Sequence, residues 1–326
     1  MRRRTFVFAV GVATIAPGLS RAQKPPSITI GYLSASSQEA EAEGLAVFRN
    51  GLERSGYVVG RNIAIEYRWA AGRYDRLPAM ATDLVQHRCA LIVATGGSAA
   101  ALALKAATSV LPVVFVIGTD PIASGVVASL SRPEGNLTGV TSYSHDLSEK
   151  RVEIIRDLVP SAKRIALLVN RTNAMAEPAV RHLVMKASMN GPKLDLVNAS
   201  TDGELIDAFA GFNSTRTAAI VVFADPFFTT RRELIVEMAA RYGLPSIYDS
   251  REFAAAGGLI SYGTSPTYGH RRAAIYASRI LQGARPSDLP VERPAAFELV
   301  INLKTVKTLG VTIPPSILAR ADEVIE

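Results

Sequence analysis

The sequence predicts an α/β fold of two lobes, each a parallel sheet flanked by helices, with hinges joining the pair. Three observations carry this. Short, almost uninterrupted apolar runs recur at strand length, at 91–93 (LIV), 112–117 (PVVFVI), 164–170 (RIALLVN) and 218–223 (AAIVVF), and strands covered on both faces read in this way. Each run leaves into a short polar turn and then a stretch with helical periodicity, the alternation that builds a parallel sheet. The same alternation then repeats in a second half of similar length. At 326 residues, 48% hydrophobic and 20% charged, the chain can bury two sizeable cores and lies outside the disordered class.

Residues 1–22 read as an export signal. Arg2, Arg3 and Arg4 form a positive start, 6–16 a short apolar stretch, Pro17-Gly18 a break, and Ser20-Arg21-Ala22 a cleavage site after Ala22. The apolar stretch is too short to span a bilayer. Arg3-Arg4-Thr5-Phe6-Val7 fits the twin-arginine route, with ordinary secretion as the alternative. No cysteine stands at the cleavage site, so no lipid anchor is expected, and the mature protein is expected to be soluble outside the cytoplasm. The net charge of +7 falls to about +3 without the four arginines of this segment. That surplus, with no dense basic patch interleaved with aromatics, argues against a nucleic-acid partner.

The first lobe is expected to take 23–142 and to regain the chain at about 265–290. Its strands are 28–33, 62–68, the run at 91–93, 112–117 and a short one at 135–140. Helices are expected at 39–55, closed by Gly56, at 77–87, after the 91–93 strand, and briefly after Pro121. The second lobe is expected at 143–264 plus about 291–326, with helices at 147–158, 178–189, 202–212 and 231–242. Its strands are 164–170, 193–197, 218–223, 245–248 and 258–263. A helix at 268–282 returns to the first lobe, and 297–305 runs from strand into helix. The hinge crossings are expected at 140–144 and 262–266.

The stretch 90–105 (ALIVATGGSAAALALK) is the centre of the candidate site. A strand that enters a helix through Thr95, Gly96, Gly97 and Ser98 leaves N–H groups at the turn, which with the helix dipole favour a carboxylate or other acceptor. An ordinary connection capped by Ser98 is the plainer alternative. Ligand crevices of open parallel sheets lie outside the carboxyl ends of the strands. The other strand exits therefore supply candidates: Ser34, Ser36, Thr119 and Asp120 in the first lobe, Thr141 at the hinge, and Asn170 and Asp225 in the second. Gly97 and Ser98 are expected to hold a carboxylate, and Asp225 an ammonium or hydroxyl donor. Trp69, Phe227, Tyr248 and Tyr262, with Tyr32 and Phe115, are candidates to sandwich a ring. Asp120 and Asp225 each precede proline, so a capping role is equally open. Only one of Phe227 and Phe228 can point into a cleft. Trp69 can instead cover a sheet edge, and the two tyrosines can be hinge packing.

From 65–77 (IEYRWAAGRYDRL), 120–139, 225–228 with Arg231-Arg232, 257–263 (GGLISYG) and 297–326, the chain resembles the periplasmic substrate-binding proteins of ABC transporters, tryptophan/tyrosine-type group. The resemblance spans the mature chain and is most specific at the C-terminus. Residues 117–119 fall where relatives vary in length and polarity. It implies a type I periplasmic-binding fold, a monomer that closes on a small molecule and delivers it to a permease and ATPase, and no cofactor. It suggests an aromatic or branched amino acid or a related carboxylate, ahead of a sugar. A receptor feeding a chemoreceptor or sensor kinase is the alternative use.

Enzyme chemistry finds no set of residues here. His87, His145, His182 and His270 are scattered without metal spacing, and 96–98 is neither a nucleophile elbow nor a Walker loop. The single cysteine, Cys89, opens a buried strand and reads as a core thiol. An export signal occupies the place where a regulator of this fold would carry a helix-turn-helix.

Overall fold

A computed structural model describes residues 28–187 and 192–326. The export signal and cleavage site at 1–22 lie outside the described residues. The first sheet takes β1 (Ile28–Ser34), β2 (Ile63–Trp69), β3 (Leu91–Thr95), β4 (Val113–Ile117) and β5 (Leu137–Thr141), with helices α1 (Ala42–Arg54), α2 (Leu77–Gln86) and α3 (Ser98–Ala107) between them. The strand order is β2-β1-β3-β4-β5, parallel throughout.

The chain then crosses into α4 (Ser148–Leu158), β6 (Arg164–Val169), α5 (Glu177–Ala187), β7 (Lys193–Asn198), α6 (Asp202–Thr215) and β8 (Ala219–Val222). There follow α7 (Pro226–Thr230), α8 (Arg232–Arg241), β9 (Ser246–Tyr248), α9 (Arg251–Ala255) and β10 (Ile260–Gly263). A long helix α10 (Pro266–Leu281) precedes β11 (Glu298–Asn302), α11 (Leu303–Leu309), α12 (Pro315–Leu318) and β12 (Glu323–Ile325). The second sheet runs β12-β11-β10-β9-β8-β6-β7. Among the described residues only β10 and β11 pair antiparallel, Gly263 opposite Glu298. The reason is local: β10 ends at a crossing between the lobes and β11 begins beside it.

The apolar runs are uninterrupted because each strand feeds two cores. In β6, Ile165, Leu167 and Val169 enter one cluster, and Ala166 and Leu168 enter the cluster on the opposite face. In β3, Ile92 and Ala94 face one way and Leu91 and Val93 the other. Each fully buried aliphatic side chain of this kind contributes about 1.5–3 kcal/mol. Cys89 joins the first of the β3 clusters, and burial pushes its thiol up to about 11.

Helix α10 packs on the first lobe against α1. Two glycines make the approach possible: a Cβ on Gly44 would lie 2.4 Å from the His270 ring, and one on Gly51 2.5 Å from the Ala274 methyl. This contact fixes His270 beside the first lobe although it is more than 200 positions from Gly44.

Three segments cross between the lobes: after β5, after β10, and ahead of β11. In the third, Glu292 adds a bridge to β5, its carbonyl accepting from Thr141 N and its own N–H donating to Gly139, both at 3.0 Å. Arg272 and Tyr276 of α10 hold the Glu292 carboxylate. Arg151 ties the other two. It is fully buried and donates to the Tyr262 carbonyl at 2.8 Å, to the Ser144 carbonyl at 2.9 Å and to Ser144 Oγ at 3.1 Å.

Most expected elements are present with ends moved by a residue or a few, as fraying ends do. The helix expected after Pro121 is instead a turn, because Asp120 captures the N–H groups of Ile122 and Ala123 and Ser124 N bonds back to its carbonyl. The short helices α7, α9 and α12 and the strand β12 were not in the sequence pattern. They are too short for periodicity to show. Among the described residues no helix is long and apolar enough to cross a membrane.

Candidate functional site

The loops that follow β1, β3 and β4 meet those that follow β6, β8 and β9 across a cleft. Between them lies a cavity of about 220 Å³, small beside the roughly 300–1,000 Å³ typical of drug-sized ligands. This is where ligand crevices form in open parallel sheets.

On the first-lobe side, Gly97, Ser98 and Ala99 line the cavity. Gly96 and Gly97 have φ of +70° and +113°, which L side chains rarely adopt, and a Cβ on Gly96 would lie 2.8 Å from Ser36 N. The turn therefore needs glycine. Among the described residues no side chain caps α3, so its first-turn N–H groups and the positive end of its dipole are presented to the cavity. Ser98 Oγ and Thr119 Oγ1 are hydrogen bonded to each other at this edge.

Behind that turn sits Glu41. Its carboxylate accepts from Ser34 Oγ at 2.6 Å, Tyr32 Oη at 2.8 Å and Thr95 Oγ1 at 2.8 Å, and His270 Nε2 lies 3.5 Å away. Burial pushes this carboxyl up, but His270 and the hydroxyls outweigh it and hold it below the usual range.

On the second-lobe side, Asp225 leaves β8 as the N-cap of α7. Its oxygens accept from Phe227 N at 2.8 Å, Asn170 Nδ2 at 3.0 Å and Asn173 Nδ2 at 2.7 Å, and from Tyr74 Oη of the first lobe at 2.9 Å. Burial nevertheless raises its pKa. His145, in the first crossing, donates to the Ala224 carbonyl at 3.2 Å and packs on Phe223. Burial drives its pKa down to about 4, so it is neutral at ordinary pH. Glu41, Asp225, Asp249 and Glu252 line the cavity, and among the described lining residues there is no lysine or arginine.

The family described as ABC transporter substrate binding protein matches residues 30–325. The chain belongs to that family. It is 27% identical over 263 residues to a tyrosine-binding protein of Clostridioides difficile, covering 80% of this chain and 75% of that protein. A Streptococcus pneumoniae ABC domain solved in complex with L-Trp has a TM-score of 0.81 at 26% identity, covering 91% of this chain and 99% of that one. A conserved domain protein of Vibrio cholerae has a TM-score of 0.82 at 26% identity with the same coverage. The fold is that of periplasmic binding proteins, two α/β lobes with largely parallel sheets flanked by helices.

In this substrate-binding protein the sequence-derived candidates divide. Ser36, Gly96, Gly97, Ser98, Thr119 and Asp225 line the cavity. Ser34 and Thr95 stand one layer back and hold Glu41. Thr141 donates to the Thr119 carbonyl at 2.7 Å, and Asn170 holds Asp225. These four position cavity residues without lining the cavity.

Others are elsewhere. Asp120 closes its own turn and faces an adjoining cavity of about 540 Å³. Trp69 covers the sheet edge, stacked on Tyr67 and against Tyr32. Tyr32 and Phe115 are core residues. Tyr248 is fully buried against Phe253 with its hydroxyl on Ser246. Tyr262 packs on Phe297 beside the crossing. Phe227 is buried between Gly72 and Arg231. The aromatic sandwich expected from these rings is absent from the cavity wall because each ring is claimed by a core or an edge. Among the described residues the phenol rings that line it are those of Tyr74 and Tyr268 instead.

Sequence reasoning missed Glu41, Tyr74, His145, Asn173, Asp249 and His270. Tyr74 and Asn173 each lie a few residues past a strand exit, and counting a few positions further into those loops would have found them. His270 carried no local signal, since only the packing of α10 on α1 brings it in.

Proposed function

We propose that this protein captures a small molecule between its lobes by hinge closure and delivers it to the permease and ATPase of an ABC importer. The ligand class is an aromatic or branched amino acid or a related carboxylate. One observation carries the reading. The cavity between the lobes is walled on one side by the uncapped start of α3, with the Ser98 and Thr119 hydroxyls beside it. That is an acceptor-binding arrangement suited to a carboxylate. Val116, Ile117, Met175 and Pro226, with the rings of Tyr74 and Tyr268, offer the apolar surface for the side chain. The names of the two amino-acid-binding relatives support the same class. The protein acts as an exported monomer, released after Ala22 into the periplasm.

A ligand touching both lobes favours the closed form by its differential affinity for it. The test is a thermal-shift screen of ligand-stripped mature protein with aromatic and branched amino acids, benzoate-type acids, sugars and nucleosides. A ligand at 100 times its Kd adds about 2.7 kcal/mol to stability. A shift confined to one amino-acid or carboxylate class is expected. A shift with sugars or nucleosides alone would overturn the ligand class.

A further inference from the structure

Asp225 was expected to bind the ligand, yet its geometry gives it another task. A carboxylate has about four acceptor positions, and in this protein four donors fill them. Three belong to its own lobe: Asn170 Nδ2, Asn173 Nδ2 and Phe227 N. The fourth, Tyr74 Oη at 2.9 Å, comes from the opposite lobe. Asp225 is 5% exposed and its acceptor positions are taken, so an incoming ammonium finds no open lone pair. The second lobe supplies a pre-positioned anion, and the first lobe completes it.

The contact does not stand alone. Gly72, two residues before Tyr74, has φ of +81°, and a Cβ there would lie 3.1 Å from Phe227 Cα. The backbone of one lobe thus seats directly on α7 of the other. Ser36 Oγ and Thr230 Oγ1 meet at 3.5 Å across the same seam. Every one of these contacts joins the two lobes, so every one is lost when they separate.

We infer that Tyr74 and Asp225 form a closure latch, a hydrogen bond between the lobes that sets how much of the protein is closed regardless of which ligand is bound. This rests on the hinge-closure reading above. A latch acts on the closed fraction alone, so it scales all apparent affinities by one factor and leaves selectivity untouched. A ligand contact would instead change the ratio between ligands.

The test uses Tyr74→Phe, which keeps the ring and removes only the hydroxyl. Affinities for L-tyrosine and L-tryptophan are measured by calorimetry, and the radius of gyration of the ligand-free protein by X-ray scattering. The expected result is that both affinities weaken by the same factor, roughly tenfold for a hydrogen bond to a charged group. Unequal losses would make the Tyr74 hydroxyl a ligand contact and overturn the latch, as would no loss at all. If the unmodified protein takes neither amino acid, the aromatic amino-acid part of the ligand reading has failed by itself and scattering decides. A larger radius in Tyr74→Phe supports the latch, and an unchanged radius overturns it. Circular dichroism confirms that the variant is folded.

Discussion

Two strand-to-helix turns face each other across the cleft, and they are finished in opposite ways. The turn from β3 into α3 is built on Gly96 and Gly97 and has no side-chain cap among the described residues. The turn from β8 into α7 has Asp225 as its N-cap, proline at the first helical position, and every carboxylate acceptor filled. An unfinished helix start can take a ligand's negative end. A finished one has nothing left to offer a ligand, and its remaining use is to hold the structure together. The two turns were nearly equivalent candidates in the sequence, and the difference between them is one of hydrogen-bond accounting.

The largest expected effect comes from breaking the finished turn. Asp225→Ala strands two amide side chains, a backbone N–H and a tyrosine hydroxyl in a buried site. A loss of about 4 kcal/mol in urea unfolding is expected from the unsatisfied donors and the lost cap. A loss under about 1 kcal/mol would show that the network is not sustained in solution.

Acid should weaken the same wall. His145, bonded to the carbonyl next to Asp225, has a folded pKa of about 4 against an ordinary value of 6.5. The unfolded chain therefore takes up this proton first as pH falls. The stabilisation is fully present above pH 6.5 and is lost progressively down to about pH 4, roughly 3 kcal/mol in all. Unfolding measured across that window should show a shallower slope in His145→Gln. Equal slopes would assign the acid sensitivity to other groups.

The smallest stability effect belongs to the unfinished turn. Ser98→Ala should cost about 1 kcal/mol or less of stability, since it removes one hydrogen bond between neutral hydroxyls, while ligand affinity falls roughly tenfold with one charge-assisted hydrogen bond. The opposite pattern, a large stability loss with affinity intact, would make Ser98 a structural residue and return the turn to an ordinary connection.

Strand positions were legible because a two-faced apolar strand such as β6 leaves an unmistakable run. Loop residues at the strand exits were legible as a set, for the topology rule places them at the crevice. What they do was not. Tyr248 and Phe253 stack with rings 4.6 Å apart in the second-lobe core, and nothing in the local pattern of 245–248 distinguishes that from a ring facing ligand. Glu41 was hidden for another reason: an acidic residue in the first turn of the helix expected at 39–55 reads as a solvated N-terminal charge, whereas here three hydroxyls and His270 enclose it.

The sequence by itself determined the α/β class, the two repeated halves and the turn at 95–98. Those features follow from residue periodicity and from glycine's backbone freedom, both properties of short windows. The tertiary structure alone decided that His270 stands beside Glu41, that Arg151 ties two crossings, and that Tyr74 rather than a ligand completes Asp225. Each of these is a contact between groups far apart in the chain. Hydrogen-bond saturation and desolvation depend on which distant groups arrive, and no local pattern encodes that.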